Sequence, residues 1–274
     1  MIRIVQQLPD IEGRISMSKI KNAFNHGKAF IPFITCGDPD IETTKKIVRE
    51  MIAAGADLIE FGIPFSDPTA EGPVIQEANI RALSKGITTD DVFALVKELR
   101  QDIKEIPFVF MTYANVVYSY GTERFAQNAA DAGMDGIILP DVPFEEKEEF
   151  ALTFRKYDMD LISLIAPTSN SRIEMIAKEA EGFVYCVSSL GVTGVRTNIT
   201  TDLGAMVGLV KKANPDIPCA IGFGISTPEQ AAKMSKVSDG CIVGSAIVRK
   251  IGEHGVNSAP VVAEYVKSMK KAME

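Results

Sequence analysis

The sequence predicts an α/β protein built as a (β/α)8 barrel, on three observations. Short apolar runs alternate with longer segments of helical period, which is typical of repeated βα units. Eight such units occur in 274 residues, and a closed barrel needs eight in about 250. The first strand ends in the turn TCGDP at residues 35–39, which lacks the glycine-rich nucleotide loop of an open doubly wound sheet.

The elements follow from these patterns in chain order. We predict strands over residues 30–35, 58–61, 108–111, 136–139, 161–165, 183–187, 219–221 and 241–243. Apolar residues at three- and four-residue spacing predict helices between them, over residues 43–54, 90–104, 124–132, 146–157, 172–181, 202–213 and 228–236. The long gap after the second strand requires an extra helix at 74–84, entered through Gly72 and Pro73 and left through Gly86.

The predicted domain is a single barrel over residues 17–274, since no segment has the composition of a linker. A further helical segment, 18–24, leads into the first strand. Residues 1–16 stand apart, either as an N-terminal helix or tail or because Met17 is the true start. The sequence leaves both interpretations open.

Composition excludes several classes of protein. The two histidines, His26 and His254, are isolated, and the four cysteines have neither zinc nor redox spacing. We therefore expect no metal site. Acidic residues outnumber basic ones 36 to 29, for a net charge of -7, which argues against nucleic-acid binding. No apolar run is long enough to span a membrane, and without a secretory signal or disulfide framework we expect a cytoplasmic protein.

The second strand carries the first candidate catalytic residue. Side chains alternate along a strand, so Glu60 shares a face with Leu58, and Ile59 shares the other with Phe61. If Leu58 fills the barrel interior, Glu60 points inward near the mouth, where burial raises the pKa of a carboxyl group and suits it to proton transfer. The alternative is an outward Glu60 in a salt bridge with a helix.

The loop after this strand holds two further acids, Asp67 and Glu71, among prolines and glycines. Proline rigidity would hold these carboxylates over the mouth, and two carboxylates in different environments commonly divide acid and base work. For Glu71 the residues alone leave an equal alternative, an acid that initiates the following helix.

Glycines after the seventh and eighth strands predict a phosphate site. The motifs are GFGIS at 222–226 and GS at 244–245. Glycines let the backbone approach an anion, and a helix beginning near Ser245 would point its free N–H groups at it. Ordinary turn chemistry is the alternative.

The segment SSLGVTGVR at 188–196 follows the sixth strand. Two glycines around Thr193 suggest a lid that excludes water during the reaction. A plain exposed loop is the alternative.

Seven motifs in order resemble the tryptophan synthase alpha chain family, from about Lys19 to the last helix. They are PFITCGDP at 32–39, residues 60–76, YAN at 113–115, DVP at 141–143, GVTG at 191–194, GFGI at 222–225 and GSAIV at 244–248. The resemblance implies a (β/α)8 barrel and a carbon–carbon lyase of tryptophan biosynthesis. It would cleave indole-3-glycerol phosphate to indole and glyceraldehyde 3-phosphate by a retro-aldol reaction.

The same resemblance implies a partner and the roles of the acids. Indole would pass to a pyridoxal-phosphate-dependent beta chain in an α2β2 complex, with no cofactor in this chain. Glu60 would be the general acid/base, and Glu71 would engage the indole N–H. The family usually has Asp at the second position, so Glu71 is one methylene longer, and we expect its role to be kept with a shifted loop or an altered rate.

The resemblance also implies roles for further residues. Those that would surround the substrate are Phe33, Tyr113, Tyr185, Thr193, Gly194, Phe223, Gly224, Gly244 and Ser245. Those that would meet the beta chain are Asp67, Pro68 and Pro143. The alternatives are a freestanding lyase, a barrel isomerase acting on another sugar phosphate, and a non-catalytic partner protein.

Overall fold

Parallel strands follow one another around the molecule. The computed structural model describes residues 18–187, 202–222 and 224–274. Its strands are β1 (Ala29–Thr35), β2 (Ile59–Gly62), β3 (Phe108–Met111), β4 (Gly136–Ile138), β5 (Asp160–Leu161), β6 (Ser163–Ile165), β7 (Val184–Val187), β8 (Cys219–Gly222) and β9 (Gly240–Val243). They pair in the order β5-β4-β3-β2-β1-β9-β8-β7-β6.

The predicted fifth strand, 161–165, is divided at Ile162, and this division closes the wall. β5 pairs with β4, and β6 pairs with β7. Ile162 lies between the two segments and donates its N–H to the carbonyl of Ile137 at 2.9 Å. The ends of the sheet are thus joined by one continuous stretch of chain, and the predicted (β/α)8 barrel is confirmed.

Helices surround the wall. They are α1 (Ile41–Ala53), α2 (Pro73–Leu83), α3 (Thr89–Leu99), α4 (Ala114–Tyr120), α5 (Thr122–Ala132), α6 (Glu148–Lys156), α7 (Asn170–Lys178), α8 (Leu203–Ala213), α9 (Pro228–Ser235), α10 (Ser245–His254) and α11 (Ser258–Met273). The predicted extra helix after the second strand is α2. Gly72 is its N-cap residue and Pro73 its first residue, where the absent N–H of proline costs nothing.

Three elements differ from the sequence prediction. The segment predicted as a helix over 18–24 is a 3-10 helix, Lys19–Phe24. The helix predicted over 90–104 ends at Leu99. The Arg100 side chain then donates to the carbonyls of Ile103 and Ile106 and holds the following residues in a turn. Helix α4 was not predicted, since Val117 is its one buried residue and it has no apolar period.

Alternation along the strands produces two buried layers. Ile31, Phe33 and Leu58 belong to the cluster inside the barrel, whereas Ile59 and Phe61 pack outward against the helices. Since all strands are parallel, their carboxyl ends meet at one mouth, where loops of a barrel carry the functional residues. Residues 1–16 lie outside the described residues, so the proposed N-terminal extension stays a prediction.

Candidate active site

Glu60 points into the barrel from the middle of β2. It pairs with Phe33 of β1 and Val109 of β3, both in the interior cluster. Glu60 is 1% exposed, and neither of its carboxylate oxygens has a hydrogen-bond partner among the described residues. Burial raises its pKa from 4.5 to about 8, because the charged form loses its hydration. The inward orientation is the one that the alternation with Leu58 predicts.

Two glycines at strand ends make room for aromatic rings beside Glu60. A Cβ atom on Gly62 would lie 2.5 Å from the Phe33 ring, and one on Gly222 would lie 2.5 Å from the Tyr185 ring. Real Cβ atoms do not approach so closely, so any side chain there would displace the ring. Burial raises the pKa of Tyr185, and the charge of Glu60 adds to the shift. Gly62 has no predicted role in the sequence, although its position at the end of the strand that carries Glu60 is a signal for one.

Glu71 lies at the end of the β2–α2 loop and is 6% exposed. The hydroxyl of Tyr113 donates a hydrogen bond to its carboxylate and accepts one from the N–H of Ala70 at 3.0 Å. The Phe65 ring packs on Tyr113 with 5.3 Å between ring centroids. Burial raises the pKa of Glu71, the Tyr113 hydroxyl and a backbone hydrogen bond lower it, and the charge of Asp141 raises it. Glu71 and Tyr113 thus form one hydrogen-bonded unit.

An apolar cavity of about 510 Å³ opens at the mouth, a size suited to a small ligand. Leu139, Pro140, Val142 and Phe144 form one wall. The two acids adjoin the cavity rather than line it. Ala70, which lines the cavity, directly precedes Glu71. Tyr185 also lines the cavity and is close enough to Glu60 for the charge of Glu60 to affect its pKa.

The glycines predicted to bind phosphate lie at the same mouth, after β8 and β9. Gly224 has φ +83°, a left-handed conformation that favours glycine. Gly244 is the N-cap residue of α10, and Ser245 begins that helix. Both are partly exposed. The first N–H groups of a helix have no partner within the helix, and the positive end of its dipole lies there, so an anion is favoured.

The other predicted residues fall into two groups. Asp67 and Pro143 are exposed and Pro68 is partly exposed, on the loops after β2 and β4. Their contact with a beta chain stays a prediction. Thr193, Gly194 and Phe223 lie outside the described residues, and so does the predicted lid at 188–196. Among the described residues, no cluster of three His, Cys, Asp or Glu side chains is placed to hold a metal ion.

Comparison with known proteins identifies the family. The family model described as tryptophan synthase alpha chain matches residues 19–274. The chain belongs to the tryptophan synthase alpha chain family. The relative from Lacticaseibacillus casei is 44% identical over 94% of this chain and 96% of its own. That from Shouchella clausii is 49% identical over 85% and 87%. Both are tryptophan synthase alpha chains.

Solved structures agree with the sequence comparison. The tryptophan synthase alpha chain from Legionella pneumophila superposes with a TM-score of 0.84 at 36% identity, covering 94% of this chain and 98% of that one. A chain of the tryptophan synthase α2β2 complex from Pyrococcus furiosus superposes with a TM-score of 0.76 at 33% identity, covering 89% and 99%.

Membership defines the class of chemistry. The family catalyses the alpha reaction of tryptophan synthase, a lyase step of tryptophan biosynthesis. The alpha chain needs no cofactor, and pyridoxal phosphate is carried by the beta subunit. No helix in the described part of this chain is long and apolar enough to cross a bilayer.

Proposed function

We propose that this chain cleaves indole-3-glycerol phosphate to indole and glyceraldehyde 3-phosphate, with Glu60 and Glu71 as its two catalytic carboxyl groups. The observation that carries this assignment is Glu60. It is a buried carboxyl group without a hydrogen-bond partner among the described residues, and its pKa of about 8 keeps it protonated at neutral pH. A carboxyl group in this state can give a proton to a carbon atom and take one back.

The first step is protonation of the indole ring. The Glu60 carboxyl group gives its proton to C3 of the indole, and the ring becomes an iminium-like cation with its charge at N1. The Glu71 carboxylate accepts the N1–H bond and stabilises this charge. Tyr113 holds that carboxylate in place, so little reorganisation is needed as the charge develops.

The second step breaks the carbon–carbon bond. The ionised Glu60 takes the proton of the hydroxyl group on the side-chain carbon attached to C3. The electron pair of the O–H bond forms the aldehyde C=O, and the electron pair of the C3–C bond returns to the ring and neutralises it. Indole and glyceraldehyde 3-phosphate are released, and Glu60 regains its proton, so the cycle is balanced without an added base.

The rest of the mouth orients the substrate. The indole ring occupies the apolar cavity of about 510 Å³, beside Phe33 and Tyr185. The phosphate group binds to backbone N–H groups at Gly224, Gly244 and Ser245, and the family resemblance adds Gly194 and Phe223 to the substrate-binding residues. The family resemblance implies that Thr193 would hydrogen-bond in the region of Glu71 in a closed lid, which would exclude water from the cation.

The product indole passes to a beta chain in an α2β2 complex, across a face that includes Asp67, Pro68 and Pro143. The four cysteines, all buried and none in a disulfide, support a cytoplasmic location, since structural disulfides are rare there.

The test is an indole assay on the purified chain with indole-3-glycerol phosphate, with and without a beta chain. We expect slow indole release alone and faster turnover in the complex. No indole in either reaction would contradict the proposal and favour another sugar phosphate or a non-catalytic role. Full activity of the chain alone would identify a freestanding lyase.

A further inference from the structure

Asp141 belongs to a sequence motif that the mechanism above does not use. It follows β4 in the loop that leads to Pro143 and is exposed. Both of its carboxylate oxygens accept the backbone N–H of Ala114, at 3.0 and 3.1 Å. Ala114 is the first residue of α4, so Asp141 caps a helix that belongs to the neighbouring βα unit.

The residue before this amide is Tyr113, the N-cap residue of α4, whose side chain makes no capping hydrogen bond. Its hydroxyl instead binds Glu71 and Ala70. Three loops are therefore joined in a chain of contacts that runs from Asp141 through the first turn of α4 and Tyr113 to Glu71. The titratable groups that act on Glu71 within the described residues are Tyr113 and Asp141.

We propose that Asp141 is a positioning residue for the second catalytic acid: it fixes the start of α4, and Tyr113, held there, keeps the Glu71 carboxylate beside the cavity. The inference rests on the proposed function, because it concerns the group that receives the indole N–H. Burial is the main cause of the raised pKa of both Glu71 and Tyr113, and the charge of Asp141 adds to it. A carboxylate of higher pKa is a stronger hydrogen-bond acceptor, which suits it to bind an N–H group that becomes cationic.

Two variants separate these effects. Asp141→Asn keeps an oxygen for the Ala114 amide but removes the charge. We expect kcat within about threefold of wild type and an acidic limb of the kcat–pH profile displaced to lower pH, since Glu71 must be ionised and loses the charge that raises its pKa. Asp141→Ala removes the cap as well, and we expect kcat to fall about tenfold, with KM changed by less than about twofold.

A double-mutant cycle tests whether the effect passes through Tyr113. If it does, Asp141→Ala should cost less than about twofold in kcat in a Tyr113→Phe background, where the hydrogen bond to Glu71 is already lost. Equal losses in both backgrounds, or an unmoved pH profile in Asp141→Asn, would overturn the inference.

Asp40 provides a matched control. It caps α1 by accepting the N–H and hydroxyl of Thr43, at 2.7 and 3.0 Å, and both of these bonds lie within its own βα unit. Asp40→Ala should lower the melting temperature as helix-cap loss does, with kcat and the pH profile unchanged. A kcat loss equal to that of Asp141→Ala would mean that any uncapped helix has this effect, and the inference would fail.

Failure of the inference and failure of the proposed function are distinguishable. A wild-type chain that forms no indole overturns the proposed function itself. An active wild type in which the effects of Asp141→Ala and Tyr113→Phe are additive overturns only the role of Asp141.

Discussion

Glu60 shows how the protein combines a core position with a reactive group. The carboxyl group occupies an interior site that an apolar side chain would fill at no electrostatic cost. Without a partner among the described residues, it stays protonated to about pH 8. Burial suits the Glu60 carboxyl group to proton transfer, but it destabilises the folded state once this group ionises, because the charged form is buried away from water.

The first prediction concerns turnover. Glu60→Gln keeps the size and polarity of the side chain but cannot give and recover a proton, so we expect kcat below about 1% of wild type. The substrate should still bind, which equilibrium titration can measure. In the wild type, kcat should decline as the pH rises through about 8, because the protonated acid starts the reaction. A variant with near-normal turnover would remove Glu60 from the mechanism.

The second prediction concerns stability. Between pH 4.5 and about 8 the folded chain keeps a proton on Glu60 that the unfolded chain has lost. The free energy of unfolding of the wild type therefore falls as the pH rises across this range. Above and below the range, Glu60 makes no contribution to the pH dependence. Glu60→Gln has no such loss, so at pH 9 it should be more stable than wild type by roughly 3 to 5 kcal/mol. Urea denaturation at pH 5 and pH 9 measures this, and an equal difference at both would contradict it.

The third prediction concerns the longer acid at position 71. Glu71→Asp should remain active, since Asp is the family's usual residue, with a rate altered by the shorter reach to Tyr113. Glu71→Ala should lose at least about a hundredfold in kcat, since the cation at N1 is no longer stabilised. An active Glu71→Ala would favour the alternative in which Glu71 merely starts α2.

The residues of the site differ in how far the sequence could place them. Alternation with Leu58 was sufficient for the inward direction of Glu60, because strand geometry is local. The hydrogen bond between Tyr113 and Glu71 joins residues 42 positions apart, so no local pattern contains it. The family resemblance alone placed Tyr113 at the site, and the structure adds its hydrogen bond to the acid.

At the level of elements, apolar runs placed the strands within about a residue or two, as expected for short buried segments. The break at Ile162 was not predictable, because it arises from closure of the barrel and not from a local signal. The same holds for the packing of α2. Arg81 of that helix reaches Asp38 in the turn after β1 through two hydrogen bonds of 2.8 Å. The Asp38 side chain is 1% exposed.

The fourth prediction tests the ion pair between Arg81 and Asp38. Arg81→Met leaves the buried Asp38 carboxylate unpaired, so we expect a loss of about 3 kcal/mol in the free energy of unfolding. The matched control is Arg49→Met in α1, which breaks an exposed pair with Asp102 in the turn after α3 and should cost under about 1 kcal/mol. Urea denaturation compares the two. Adding Asp38→Asn to Arg81→Met should recover part of the stability, and a loss no larger than that of the control would show that the pair does not hold α2.

At the scale of the whole molecule, the described residues of the proposed site lie in the strands or in the loops and helix starts that follow their carboxyl ends. The acids come from β2 and its loop, Tyr113 from the start of α4, and the phosphate glycines from the ends of β8 and β9. The opposite end of the barrel supplies stability. Its role is visible at Ile20 in the 3-10 helix Lys19–Phe24, which is fully buried below the strands. On the proposed function, we expect a partner that takes up indole to dock at the mouth.

The fifth prediction places that docking surface. Pro143→Arg adds a long charged side chain on the exposed β4 loop and should weaken binding of a beta chain at least about tenfold. Because Pro143 also lines the cavity, basal turnover of each variant is measured alongside its affinity for the beta chain. Pro215→Arg is the matched control, an exposed proline between α8 and β8 at the other end of the barrel, and it should bind the beta chain as wild type does. Titration calorimetry measures both affinities. If Pro143→Arg binds the beta chain as tightly as wild type does, the interface does not include Pro143.

If both variants lose the same affinity, the added charge acts at long range. Repeating the titration at high salt separates a contact effect, which persists, from a long-range electrostatic effect, which is screened.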